Sequence, residues 1–267
     1  MELTREGRMI LRAGVGIVGR LFCFTMRAVP SRYRFATTRR VAGVFTPLLF
    51  NRALRRWVKK ATVLETDQDY VLSQLVALLK NSRTKLDVPL AIDGLEHLDA
   101  AVSAGRGVLL TGPHTFLSIV AIRHLHNLGY DVATVSRYPY RLPAGEVSAV
   151  PRIPLTPMFL RAVRDAWSQG KIVFTMTDRR DALDGKTVSF EIAGGTVHFT
   201  DGLLRSAARR NAVTLFLASR TVDGKVVARI MNPADGRSGE AGLQAFVECV
   251  REYAESLRVD PHDVDRT

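Results

Sequence analysis

A five-residue apolar run, GVLLT at 107–111, is followed by a helix-length segment from about Thr115 to Leu128. A second strand-like run lies near Val132 to Ser136. Strand, helix and strand within roughly 30 residues imply a crossover that sets the two strands parallel. The pattern recurs downstream. A helix around Pro157 to Ser168 precedes the strand KIVFTMT, and two β-rich stretches run through Phe190 and Val197. Helix Asp201 to Arg210, strand AVTLFLAS, strand KVVARIM and an amphipathic helix from Gly242 to Leu257 complete the chain. Upstream, Thr66 or Asp67 can cap a helix through Leu79, KLDVPLAIDG reads as extended, and Leu95 to Ala104 is a short helix stopped by Gly105. The predicted class is α/β, with a mixed, largely parallel sheet flanked by helices and an N-terminal amphipathic helical arm.

Composition agrees with a globular body. Of 267 residues 46% are apolar and 24% charged, which excludes disordered, collagenous and disulfide-scaffold chains. Cys23 and Cys249 stand far apart, and no Cys/His spacing suits zinc, so no metal is expected. The charge, however, is unevenly placed. Residues 1–60 hold 14 basic and 2 acidic side chains, a balance of +12 that equals the net charge of the whole chain. The expected division is therefore a basic, membrane-associating arm over 1–60 and an α/β body over 61–267.

Within the arm, residues 9–29 carry too many arginines for a plain membrane span, since a central Arg costs about 2.5–3.5 kcal/mol on insertion. On a helical wheel Arg5, Arg8, Arg12, Arg20 and Arg27 fall in one sector of about 120°, opposite apolar residues such as Ile10, Ile17, Val18 and Leu21. That pattern suits a helix lying in the interface of an anionic membrane. It also suits a helix packed on its own domain with a solvated Arg face. A second basic helix is expected from Arg39 to Lys60, bent near Pro47, with Trp57 among Arg55, Arg56, Lys59 and Lys60 at headgroup depth. Nucleic acid is the rival partner for such a cluster; no zinc finger, RNA-recognition signature or base-stacking platform accompanies it, and no nucleic-acid partner is expected.

In parallel sheets ligands gather at the carboxyl ends of the strands, which directs attention to TGPHT after GVLLT. Gly107 and Gly112 have P-loop spacing, but Pro113 and His114 occupy the positions of the Lys and Ser/Thr. G-x-S-x-G does not occur. His114 remains. An imidazole with a pKa near 6.5 can act as general base at neutral pH, or it can serve as a helix cap or a core residue.

Residues 94–114, GLEHLDAAVSAGRGVLLTGPH, resemble the entry to the active site in the lysophospholipid acyltransferase superfamily, in its lipid A lauroyl/myristoyl acyltransferase branch. LHNLGYDVATVSR, the helix before KIVFTMTD, and GKTVSFEIAGGTVHFTDGLLRSAARRNAVTLFLASR follow that branch in order, so the likeness covers roughly residues 30 to 257. It implies an acyltransferase with His114 as base. The family's His-x4-Asp/Glu motif places a carboxylate five residues on, where this chain has Ile119. Asp178, Asp181 and Asp201, each after a strand, are the candidate acidic partners; Asp201 is equally a helix cap. Arg137 stands where the branch often has an Arg beside a substrate phosphate, and Arg179 and Arg180 are further candidates, each with a solvated-loop alternative. The literal His126-x4-Asp131 does not converge on a helix and is set aside.

The implied reaction moves an acyl group from an acyl carrier protein or acyl-CoA thioester to a lipid or small-molecule hydroxyl or amine. It needs no cofactor beyond the thioester donor. The arm, through Arg12, Arg20, Arg27 and Trp57, would hold the enzyme peripherally on the cytoplasmic face of a bacterial inner membrane. The alternative is a degenerate homologue that binds acyl chains or membrane without turnover.

Overall fold

The computed structural model describes residues 19–50, 65–82, 84, 86–137, 150–176, 187–192, 195–233 and 239–257. Among them the chain forms α1 (residues 19–28), α2 (Ser31–Leu49), α3 (Asp67–Asn81), β1 (Leu90–Asp93), α4 (Leu95–Ser103), β2 (Val108–Gly112), α5 (Phe116–Asn127), β3 (Val132–Ser136) and β4 (Arg152–Pro154). There follow α6 (Phe159–Ser168), β5 (Ile172–Met176), β6 (Thr187–Ile192), β7 (Gly195–Thr200), α7 (Asp201–Arg209), β8 (Val213–Val222), β9 (Lys225–Met231) and α8 (Gly239–Ser256).

Seven strands form one sheet in the order β1-β9-β8-β2-β5-β3-β4, and β6 and β7 pair separately as an antiparallel hairpin. Every pairing in the large sheet is parallel except β8–β9, as the α/β expectation requires. The β8–β9 reversal is made by Asp223 and Gly224, both at positive φ (46° and 81°), which is the backbone of a two-residue hairpin turn.

β2 lies at the centre, buried along its whole length because helices cover both faces. On one face Leu110, Leu215, Leu217 and Phe174 pack with Leu98 of α4 and Ala121, Ile122 and Leu125 of α5. On the other, Leu109, Val173 and Phe216 meet Val163 and Trp167 of α6, Leu203 and Ala207 of α7, and Phe246 and Tyr253 of α8. Gly107 lets α6 close on the sheet. A Cβ there would lie 2.5 Å from Trp167 Cβ and 2.6 Å from its Cα, while the Trp167 indole donates to the Val108 carbonyl at 3.1 Å.

At the N-terminus, Cys23 and Met26 of α1 are buried with Leu79 of α3, and Phe35 and Ala42 of α2 with Val71, Leu72 and Val76. The Arg34 guanidinium donates to the Met26, Arg27 and Val29 carbonyls and so closes the α1–α2 corner. The second helix therefore begins at Ser31, directly after Pro30, and not at Arg39; it ends at Leu49, and residues 51–60 of the expected helix lie outside the described residues. Proline's fixed φ suits a helix start, and Pro47 falls in the last turn, where the helix is ending. Arg12 and Trp57 lie outside the described residues. No helix among the described residues is long and apolar enough to cross a membrane.

Candidate active site at the carboxyl edge of the sheet

β2 ends at Gly112, where a Cβ would meet the Leu217 carbonyl at 3.0 Å and the Phe174 ring at 3.2 Å. The next residues turn sharply. The Thr115 amide donates to the Pro113 carbonyl at 2.8 Å, an i to i+2 bond that puts His114 at the apex of a three-residue turn. Thr115 then caps α5: it is extended (φ −118°, ψ 156°), and its hydroxyl accepts the Ser118 amide at 3.1 Å. Ser118, fully buried, lies 2.9 Å from Thr115 through its own hydroxyl and is thereby spent on the cap.

His114 is half-buried, with Nδ1 shielded from solvent. With Thr115 as N-cap, His114 is N′ and Ile119 is N4. Side chains at N′ and N4 pack against each other across the start of a helix, which explains in plain geometry why a His-x4-acid spacing forms a dyad at a strand end. In this chain the residue at N4 is the half-buried Ile119, which carries no carboxylate.

The other nominated residues fall in different places. Arg137 is exposed at the end of β3, its carbonyl accepting from Arg152 Nη1 at 3.0 Å. The register β3–β5–β2 puts Arg137 at the same edge as His114 but two strands away, about 10 Å in backbone spacing. Asp201 opens α7, which runs back from this edge to lead into β8; its side chain lies outside the described residues, as do Asp178, Arg179, Arg180 and Asp181. His126 closes α5, and Asp131 pairs with Lys171 at 3.4 Å, so those two residues form no unit. Among the described residues no cluster of three or more His, Cys, Asp or Glu could hold a metal.

A carboxyl outside the His-x4-acid spacing reaches the same edge. β8 overruns β2: Phe216 pairs with Thr111, yet β8 continues to Val222. Its odd-numbered residues turn their backbone groups toward β2, as the Val213 amide does in donating to the Gly107 carbonyl. Past the end of β2 those groups need other partners. Tyr253 Oη donates to the Ser219 carbonyl at 3.1 Å, and Asp69 Oδ2 of α3 accepts the Thr221 amide at 3.5 Å.

Asp69 is buried, and burial raises its carboxyl pKa; hydrogen bonds to Thr221 and Thr66 and the charge of Arg220 offset part of that rise. Beside it, Ser73 Oγ donates to Glu65 Oε1 at 2.8 Å in a buried pair. Burial, with the charges of Asp69 and Glu65, pushes the Tyr253 phenol well up despite the opposing Ser219 bond and Arg220 charge. In sequence Asp69 is simply an acid in the first turn of a helix, which gives no sign of this role.

A cavity of about 610 Å³ opens at the opposite end of the sheet, near Leu95, Leu128, Gly170 and Ile172. Asp131 lines it, whereas His114 and Arg137 do not. Tyr130 Oη donates to Asp99 there at 2.7 Å, and burial with the adjacent carboxylate pushes that phenol up to about 12. Compared with known proteins, the sequence matches no family model and no curated relative.

Proposed function

We propose that the chain is an acyltransferase in which His114 is the general base, moving an acyl group from a carrier-protein or coenzyme A thioester to a hydroxyl or amine. The observation that carries this reading is the placement of His114: apex of a tight turn, end of the central buried strand, one residue before a capped helix. The resemblance of residues 94–114 to the acyltransferase entry supplies the reaction class.

In the step envisaged, the acceptor gives its proton to the imidazole as its oxygen or nitrogen bonds to the thioester carbonyl carbon. The tetrahedral intermediate then expels the thiolate, which takes the proton back from the imidazolium. With Ile119 in place of a carboxylate, the N4 position gives the imidazolium no compensating charge. An amine acceptor needs less help from a base than a hydroxyl, and it fits this site better.

The reading includes work at the cytoplasmic face of a bacterial inner membrane. Support comes from α1 and α2: Leu21, Phe24, Val44 and Leu48 are exposed, as are Arg20 and Arg27 of α1. Exposed apolar side chains on a helix that also carries exposed arginines suit an anionic lipid surface.

The test is mass-spectrometric detection of acyl transfer from lauroyl-carrier and lauroyl-CoA donors to lipid, alcohol and amine acceptors. The expected result is product that falls by about 10²- to 10⁴-fold in His114→Ala. One observation, Ile119 at the dyad position, favours a second reading as a non-catalytic acyl-binding homologue. Donor binding without product, unchanged in His114→Ala, would establish that reading instead.

A further inference from the structure

Two adjacent helices, α6 and α7, cover one face of the sheet, and both start at the edge where His114 lies. Each runs from the carboxyl end of the strands back to the start of the next strand, β5 or β8. Arg164 Nε reaches the Ser206 hydroxyl at 3.4 Å and ties the two helices side by side. At the far end Arg106 donates to the carbonyl and side chain of Asn211, at 3.0 and 3.1 Å.

The solvent side of this layer is strongly cationic. Arg161 and Arg164 of α6 are exposed, as are Arg205 and Arg209 of α7 and the flanking Arg106 and Arg210. Asp165 is the exposed acid on these two helices among the described residues. Ala162 and Ala208 are exposed as well, so the arginines stand on a low surface that a partner can approach closely. This charge lies outside residues 1–60, in a body whose net charge is zero because the acids that balance it are elsewhere. Three of them, Glu248, Glu252 and Glu255, form a row along the exposed side of α8.

We propose that the arginine face of α6 and α7 is the docking surface for an acidic carrier protein that delivers the acyl thioester to His114. This rests on the acyltransferase reading and names the partner of the same site. A second copy of the chain, setting its α8 glutamates on these arginines, is the other occupant that charge alone would permit. Lasting protein interfaces bury an apolar core, and the exposed large apolar residue described on this face is Met158, at the site end of α6. A cationic surface with so little apolar area suits fast, salt-sensitive and brief association. A donor that must arrive, unload and leave requires that kind of encounter.

The test uses the full chain and the triple variant Arg161→Glu, Arg209→Glu, Arg210→Glu, whose side chains are solvent-exposed. Binding of lauroyl-acyl carrier protein is measured by titration, and turnover is compared between that donor and lauroyl-pantetheine, which has no protein part. The expected result is carrier binding and kcat/KM weakened by about ten-fold or more, with lauroyl-pantetheine turnover unchanged. Equal loss with both donors, undiminished carrier binding by the variant, or no carrier binding by the wild type would overturn the proposal. So would duplex DNA that binds the face as tightly as the carrier. Should the wild type turn over neither donor, the acyltransferase reading fails, and the carrier titration of wild type against variant still decides the docking surface.

Discussion

The Thr115 hydroxyl accepts the Ser118 amide at 3.1 Å, and through that bond the first turn of α5 fixes where the preceding imidazole can point. Losing the cap should therefore affect both stability and the site. Thr115→Ala is expected to destabilise the fold by about 0.5–2 kcal/mol, seen as a lower urea midpoint with an unchanged slope. Thr115→Ser keeps the acceptor oxygen and should recover most of the loss. Equal midpoints for alanine and wild type would show that the cap contributes little.

On the proposed acyltransferase reading, a carboxylate placed at N4 should help a base at N′. Ile119→Glu is expected to raise turnover on hydroxyl acceptors by about ten-fold or more, a fraction of the 10⁴ that an orienting carboxylate supplies in a Ser-His-Asp triad. Its charge also sits favourably in the first turn of a helix. Amine acceptors should gain less. The readout is the ratio of hydroxyl to amine product by mass spectrometry, and a ratio equal in wild type and variant would separate Ile119 from the chemistry.

Asp69 gives a pH signature of defined sign. Its carboxyl is raised above the ordinary 3.8 chiefly by burial. The folded state therefore holds this proton more tightly than the unfolded chain. That contribution is complete below 3.8 and is lost as pH rises through the folded value. Asp69→Asn keeps an acceptor for the Thr221 amide without a charge, so wild type should lose stability relative to the variant between about pH 4 and pH 8. Urea unfolding of both proteins at the two pH values measures the difference. A wild type that gains on the variant as pH rises would reverse the assigned shift.

Vesicle flotation tests the N-terminal surface. Phe24 is 76% exposed and Leu48 55% exposed. Phe24→Asp with Leu48→Asp should reduce flotation on vesicles containing anionic lipid, while the unfolding free energy from urea titration stays within about 0.5 kcal/mol of wild type. Flotation equal to wild type would take α1 and α2 out of any lipid contact.

The sequence announced those elements whose pattern is set locally. GVLLT reads as a buried strand because helices cover both its faces, and Thr115 reads as a cap because the hydroxyl and the amide it meets are three residues apart. β4 is not legible in the sequence: three residues, two of them exposed and one a proline, carry no strand pattern. The α2 start at Ser31 is marked by Pro30 and the buried Phe35, whereas half-buried Arg39 and exposed Arg40 lie inside the helix and carry no boundary signal. His114 was legible as the residue at a strand end, whereas the buried role of Asp69 was not. That role arises because β8 is longer than β2, and the bond it makes joins residues 152 positions apart.

The two outer strands of the large sheet are also its shortest: β1 has four residues and β4 three, and β4 ends in Pro154, which has no amide hydrogen to offer. The ten-residue β8, with its run VTLFLAS, lies inside. A window so rich in β-branched and apolar residues, with no charge, is the kind that stacks into fibrils when it meets copies of itself. Short, proline-ended margins keep the folded molecule from recruiting another strand. Solubility then depends on the sheet staying closed, and heating that frees β8 should end in precipitate rather than in a recoverable unfolded chain.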